Sequence, residues 1–318
     1  MKIKTVAIIG AGAIGSYFIA GLTEKLGDDL WIVAEGERKE RLEKNGIVIN
    51  DQKYDLHVKT PEEAKGVDLL IISVKYGALQ GILPMIEKIV DAHTLVISPM
   101  NGVDSEKVIG EKIGMEHMLP SFMKIASRRI DNQIVYDPEV TMGLYFGEDN
   151  GEPSERTEAI EDLLKDTPIH HHLSANIQQD IWYKYALNIS KNLPQAIINC
   201  GLGAYTDSEH LAYISARMRK EVSDVAAALG IDISDTSGTQ AKNATFAPDS
   251  RFSTLQDLDA KRPTEIDMFS GALIRMGKES GIPTPYNEYT YHMIKALEEK
   301  NDGLFDYEGK TEESTWSK

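Results

Sequence analysis

Lys184, Asn188 and Asn192 are the residues best placed by spacing to carry proton chemistry. In Asp180-Ile181-Trp182-Tyr183-Lys184-Tyr185-Ala186-Leu187-Asn188-Ile189-Ser190-Lys191-Asn192 they recur every fourth residue, which sets all three along one face of an α-helix. Trp182, Leu187 and Ile189 around them predict a largely buried helix, where an unpaired lysine and two amides are costly unless water or a ligand meets them. A pocket-facing lysine also suits proton donation, because partial desolvation lowers its pKa toward working pH. The competing structural reading is an exposed polar stripe with one ion pair.

A second polar cluster runs from Ser253-Thr254-Leu255-Gln256-Asp257 to Arg262-Pro263-Thr264-Glu265-Ile266-Asp267. Thr264 reads as a helix cap, with Pro263 stiffening the entry and Glu265 and Asp267 favouring the positive end of the helix. Capping alone would account for both acids.

The elements that could bring a reactant to these groups begin at the N-terminus. Ile3 to Ile9 is an apolar run of strand type, followed by Gly10-Ala11-Gly12-Ala13-Ile14-Gly15 and a helix-like segment from Ser16 to Leu22. A second apolar run, Leu30 to Ala34, ends on Glu35. In dinucleotide binding, Gly10 permits the tight turn, Gly12 lets backbone approach a pyrophosphate, and Gly15 lets the helix pack closely on the sheet. The helix start at Ala13 and Ile14 then presents N–H groups and a positive dipole end to the phosphates. Glu35, about twenty residues beyond Gly15, is placed to accept hydrogen bonds from the adenosine ribose hydroxyls.

Strands alternating with helices continue through Val67–Val74, Leu79–Val90 and Thr94–Ser98, which predicts an α/β fold with a Rossmann-type doubly wound parallel sheet. Phe122–Ile130, Ile134–Tyr136 and Thr141–Phe146 read as an antiparallel extension of that sheet, and Ser154 as the cap of a helix to Leu164. Beyond Leu173 the periodicity is helical over 177–198, 208–229, 264–280 and 286–299, which predicts a C-terminal all-helical domain. The expected division is therefore a dinucleotide-binding domain over 1–173 and a helical substrate domain over 174–318, ending in a polar tail from Asn301.

The chain has 318 residues, and its formal net charge of −16 opposes attraction to nucleic acid or anionic membranes. An anionic substrate would need a locally basic pocket. Cys200 is the one cysteine, so no intrachain disulfide forms, and no apolar run reaches the length of a membrane span; both point to the cytoplasm. His170-His171-His172 does not predict a metal site, because adjacent residues of an extended segment cannot all face one ion.

The glycine turn, Val74-Lys75, Asn101-Gly102-Val103, Trp182-Tyr183-Lys184 with Asn188 and Asn192, Ser253 to Asp257 and Thr264-Glu265-Ile266-Asp267 occur in an order and at a spacing similar to those of ketopantoate reductases (2-dehydropantoate 2-reductases). The resemblance runs to about Glu299. It implies NADPH-dependent reduction of ketopantoate to pantoate, a step toward pantothenate and coenzyme A. By the same resemblance Lys184 matches a general acid, Glu265 its acidic partner, Lys75 a lysine near the nicotinamide, and Asn101, Asn188, Asn192 and Ser253 positions touching cofactor or substrate. A homodimer is the expected assembly beyond the monomer.

This sequence departs from the family at three points. Glu35 stands where members often carry an arginine for the 2′-phosphate of NADPH, so the residue itself favours NADH, with Arg38 and Lys39 as the cations that could offset it. Pro99-Met100 rather than Gln precedes Asn101, and Leu202 replaces an Asn of some members. A reductase of another branched 2-oxo acid or an opine-type dehydrogenase is the alternative enzyme, and an NAD(P)-binding sensor without turnover the alternative of a different class.

Overall fold

In the computed structural model, which describes residues 1–130, 133–234 and 247–305, β1 (Val6–Ile9) is buried along its whole length. Its neighbours explain why. Helix α1 (Ala13–Leu26), β2 (Leu30–Val33), α2 (Gly36–Asn45), the β3–β4 hairpin (Ile47–Ile49, Gln52–Tyr54), β5 (His57–Lys59), β6 (Leu69–Ile72), α3 (Leu79–Ile89), β7 (Leu95–Ile97) and α4 (Ser105–Ile113) follow in turn. Five of the strands form one sheet in the order β5-β2-β1-β6-β7, every pair parallel. Val6 and Ile8 pack with Tyr17, Phe18 and Leu22 of α1 on one face. Ala7 and Ile9 pack with Leu83, Ile86 and Ile89 of α3 on the other. Both faces are covered there, so β1, β2, β6 and β7 carry no polar residues, whereas the edge strand β5 carries His57 and Lys59. The order in which strands are added reverses between β1 and β6, the switch point at which open parallel sheets bind ligands beyond the strands' carboxyl ends.

The later strands do not extend this sheet in the antiparallel manner expected. Phe122–Ile130 breaks at Ile125-Ala126 into β8 (Ser121–Lys124) and β9 (Ser127–Ile130), which join different sheets. Strand β9 pairs with β10 (Gln133–Tyr136) beside the β3–β4 hairpin, whereas β8 pairs with β11 (Gly143–Phe146). After α5 (Glu155–Leu164), capped by a Ser154–Thr157 box as expected, β12 (His171–Leu173) adds in parallel to β11. A single parallel bridge, Val96 to Met118, links β7 to the segment before β8.

Helix α6 (Ile177–Leu187) leads into a π-helical turn over Asn188–Asn192, then α7 (Leu193–Ile198), α8 (Ala204–Asp207), α9 (Glu209–Ala228) and α10 (Ser253–Asp259). A second π turn, Asp267–Gly271, precedes α11 (Ala272–Ser280) and α12 (Pro285–Asn301). The chain forms two compact units, Met1–Tyr185 with Ala226–Ala244, and Ala186–Val225 with Thr245–Lys318. The first unit thus runs past residue 173, because Ile177 and Ile181 of α6 pack against Phe122 of β8. In the second unit the buried Glu221 of α9 accepts from the N–H groups of Tyr286 and Asn287, capping α12 from outside the helix. Most of the polar tail, residues 306–318, lies outside the described residues.

Candidate active site

The turn after β1 separates two roles for glycine. Gly10 has φ +104°, and a Cβ there would stand 2.6 Å from the Ser73 carbonyl oxygen. At Gly15 a Cβ would stand 1.9 Å from the carbonyl oxygen of Gly10, so these two glycines are required by the protein's own packing. Ser73 fixes the turn from β6, donating its hydroxyl to the Gly10 carbonyl at 2.7 Å. Around Gly12, by contrast, a Cβ would meet nothing within 4 Å. The space over Gly12 is open at the start of α1, where no side chain caps the first turn at Ala13 and Ile14. These residues fit a dinucleotide pyrophosphate: bare backbone, a free helix N-terminus and no carboxylate in the first turn.

Glu35 ends the β2 segment as the residue before α2, and it is exposed. The two cations expected to offset it are not equivalent. Lys39 is committed elsewhere, to Glu43 at 3.2 Å, Glu63 at 3.3 Å and the Val58 carbonyl at 3.1 Å. Arg38 is exposed.

In the first unit, Lys184 of α6 donates to the Asn101 side-chain oxygen at 2.8 Å, and its ammonium lies 5.6 Å from the centre of the Phe122 ring. Asn101 sits in the loop between β7 and α4, where Gly102 takes φ +99°. That loop is pinned at both ends by one hydrogen-bond chain: the Ser98 hydroxyl donates to Ser105 at 3.0 Å, and the Ser105 hydroxyl to Glu106 at 2.9 Å. Tyr76 adds a bond to Asp104 at 2.6 Å.

Burial pushes the Glu106 carboxyl up to about 7. An acid raised in the folded state loses stability as pH rises, here between the ordinary carboxylate pKa near 4.5 and about 7. Glu106→Gln is therefore expected to remove a decline of about 2 kcal/mol over that window, allowing for partial exposure. Denaturant unfolding of both proteins at pH 5 and pH 8 checks this; equal pH dependence in the two would contradict it.

The second unit gathers the other expected residues. Asn192 donates to the Asn188 side-chain oxygen at 3.4 Å, Asn192 being buried and Asn188 half-buried. Both lie in the first π turn rather than on the uninterrupted α-helix that the four-residue spacing assumed, so that spacing does not describe their face. Pro194, unable to donate to the Ser190 carbonyl, lies where the helix departs from the α pattern. Ser253, exposed, opens α10, which packs on this turn. The second π turn packs on it too and begins two residues after the half-buried Glu265. Single π turns of this kind recur at functional sites. The helix expected from Thr264 starts later than its cap signal, since the Thr264 N–H and hydroxyl donate to Glu298 at 2.6 and 2.7 Å.

Two family models match the chain: "Ketopantoate reductase PanE/ApbA" over residues 6–150 and "Ketopantoate reductase PanE/ApbA C terminal" over 176–298. The chain belongs to the ketopantoate reductase family. The 2-dehydropantoate 2-reductase of Archaeoglobus fulgidus is 27% identical over 299 residues, covering 94% of this chain and 99% of its own. Among solved structures, the ternary complex of D-mandelate dehydrogenase with NADH and anilino(oxo)acetate aligns with TM-score 0.79 at 23% identity, over 94% of this chain and 99% of that one. The dimeric ketopantoate reductase of Staphylococcus aureus aligns with TM-score 0.73 at 22% identity, over 93% and 99%. This ketopantoate reductase family member is accordingly an NAD(P)H-dependent oxidoreductase with a nicotinamide cofactor.

Lys75 follows β6 and is exposed. The three histidines are spent on backbone carbonyls: His170 on Thr141 at 2.9 Å, His171 on Ile169 at 3.1 Å and His172 on Met142 at 3.1 Å. Two groups were missed in the sequence. Glu106 reads there as an ordinary first-turn acid of α4. Lys124 carries no local signal, since its surroundings come from strands paired across the sheet.

Proposed function

We propose that this protein reduces ketopantoate to pantoate, and that Lys184 is the acid that protonates the reduced carbonyl oxygen. The observation that carries the reading is the 2.8 Å bond from Lys184 to Asn101, which fixes an ammonium in the same compact unit as the glycine turn. A nicotinamide dinucleotide bound at the glycine turn would supply the hydride for the ketone carbon. Lys184 then stabilises and protonates the alkoxide, while Asn101 holds the ammonium in place. Asn188, Asn192 and Ser253 are assigned to substrate binding and Glu265 to partnering the acid. Gly10, Gly12, Ala13, Ile14, Gly15, Glu35, Lys75 and Asn101 are assigned to the cofactor.

Glu35 supports NADH as at least as good a cofactor as NADPH. Two like charges about 4 Å apart repel by roughly 4 kcal/mol at an effective dielectric of 20, and Lys39 is held by its own carboxylates. Glu35→Arg is expected to shift kcat/KM toward NADPH by about tenfold or more. A wild-type preference for NADPH of about a hundredfold would mean that Arg38 outweighs Glu35. A cytoplasmic homodimer is the proposed form: the Staphylococcus aureus relative is dimeric, and among the described residues no helix is long and apolar enough to cross a membrane.

A second reading, reduction of a different 2-oxo acid, is favoured by Pro99-Met100 before Asn101 and by Leu202. The test is a panel of 2-oxo acids with each cofactor. Highest kcat/KM on ketopantoate supports the first reading and highest on another acid the second. Tight dinucleotide binding with no oxidation would support a sensor.

A further inference from the structure

We propose that Lys124 binds the carboxylate of the 2-oxo acid, seated on an aromatic platform that it shares with Lys184. The inference rests on the reductase reading above and concerns the carboxylate that adjoins the ketone.

Lys124 stands two residues after Phe122 on β8, so both project from the same face of the three-stranded sheet. Register places Phe122 opposite Tyr145 of β11, and Tyr145 opposite His172 of β12. The three rings stack in a row, Phe122 on Tyr145 at 4.8 Å between centres and Tyr145 on His172 at 4.5 Å. The Lys124 ammonium lies 4.5 Å from the centre of Tyr145 and 5.5 Å from that of Phe122. Lys184 approaches the same Phe122 ring at 5.6 Å. Two ammonium groups therefore lie within 6 Å of one ring centre on a chain whose net charge is −16.

Lys124 is half-buried, and among the described residues its ammonium makes no hydrogen bond and has no carboxylate within 4 Å. The acid nearest in effect, Asp180 at the start of α6, is engaged by the Ser174 hydroxyl at 2.6 Å. Burial pulls the Lys124 ammonium below the usual lysine range, with Asp180 opposing only in part. Cation–ring contact is a weak substitute for an anion, so a carboxylate arriving there would gain a charge-assisted hydrogen bond from a group already partly desolvated. A small 2-oxo acid carries its carboxylate next to the ketone. With Lys184 at the ketone oxygen, a second cation on the same platform meets the adjacent carboxylate and orients the carbonyl.

The test compares a turned-over 2-oxo acid with its uncharged methyl ester, in the full-length protein, for wild type, Lys124→Met and Lys124→Arg. The expected result is a fall of about thirtyfold or more in the acid-to-ester ratio of kcat/KM in Lys124→Met, carried mainly by KM for the acid. Lys124→Arg should restore most of the ratio, and the dissociation constant for NADH should stay within about threefold. A role confined to balancing Asp180 would lower the melting temperature and leave the ratio unchanged, and that outcome overturns the proposal. If Lys124→Met fails to fold, Lys124→Gln gives the same ratio measurement. Wild type inactive on every 2-oxo acid would instead overturn the reductase reading, and the assignment of Lys124 with it.

Discussion

Lys184→Ala is expected to lower kcat by about 10²- to 10⁴-fold while changing the dissociation constant for the dinucleotide by less than about threefold. The asymmetry follows from what the ammonium meets. Charge develops on the substrate oxygen only as the hydride arrives, so the group is worth most in the transition state and little in the binary complex. One ground-state contact is with Asn101, at 2.8 Å, a neutral amide that orients the ammonium. Alanine also leaves the Asn101 oxygen without this donor and uncovers part of the Phe122 ring, so a modest loss of stability should accompany the loss of rate. Steady-state turnover and dinucleotide fluorescence titration measure the two effects separately. A kcat within about tenfold of wild type would remove Lys184 from the acid role.

The second large effect separates two glycines three residues apart. Gly12→Val is expected to weaken dinucleotide binding by about 100-fold or more, equivalent to about 2.7 kcal/mol, with little change in melting temperature. Nothing in the protein lies within 4 Å of the new Cβ, so the side chain occupies only the space a pyrophosphate would take. Gly15→Ala should do the reverse in origin. Its Cβ would stand 1.9 Å from the Gly10 carbonyl oxygen, forcing α1 off β1 at a cost of about 3 kcal/mol or more, and binding would fail because the fold does. Thermal unfolding beside titration distinguishes them. A Gly12→Val protein that binds the dinucleotide normally would show that the open space at the start of α1 serves something else.

What could be read from the sequence follows from how local each signal is. The β1–α1–β2 unit was legible because the apolar runs, the three glycines and Glu35 fall within one short stretch and each has its own backbone or packing reason. Lys184 was legible by residue type and by its apolar neighbours, but its partner Asn101 lies 83 residues away, and only the family resemblance joined them. The spacing of Asn188 and Asn192 misled in one respect: it presumed α geometry, whereas Pro194 and the packing of two π turns on each other set a wider local helix. Phe122–Ile130 looked like one strand because its composition is uniform enough, yet the break at Ile125-Ala126 sends β8 and β9 to different sheets. Lys124 and Glu106 were not legible at all. One is defined by cross-strand stacking of Phe122 and Tyr145, the other by burial beside a hydrogen-bond chain through Ser105 to Ser98, and neither arrangement leaves a periodic trace.

The most direct test of the account is to mix the protein with NADH carrying deuterium at the transferable position of the nicotinamide, add ketopantoate, and follow nicotinamide absorbance together with the mass of the acid produced. Loss of absorbance matched by pantoate one mass unit heavier, with deuterium on the carbon that bore the ketone, is the predicted result. Dinucleotide that binds but is not oxidised by ketopantoate or any other 2-oxo acid would contradict it.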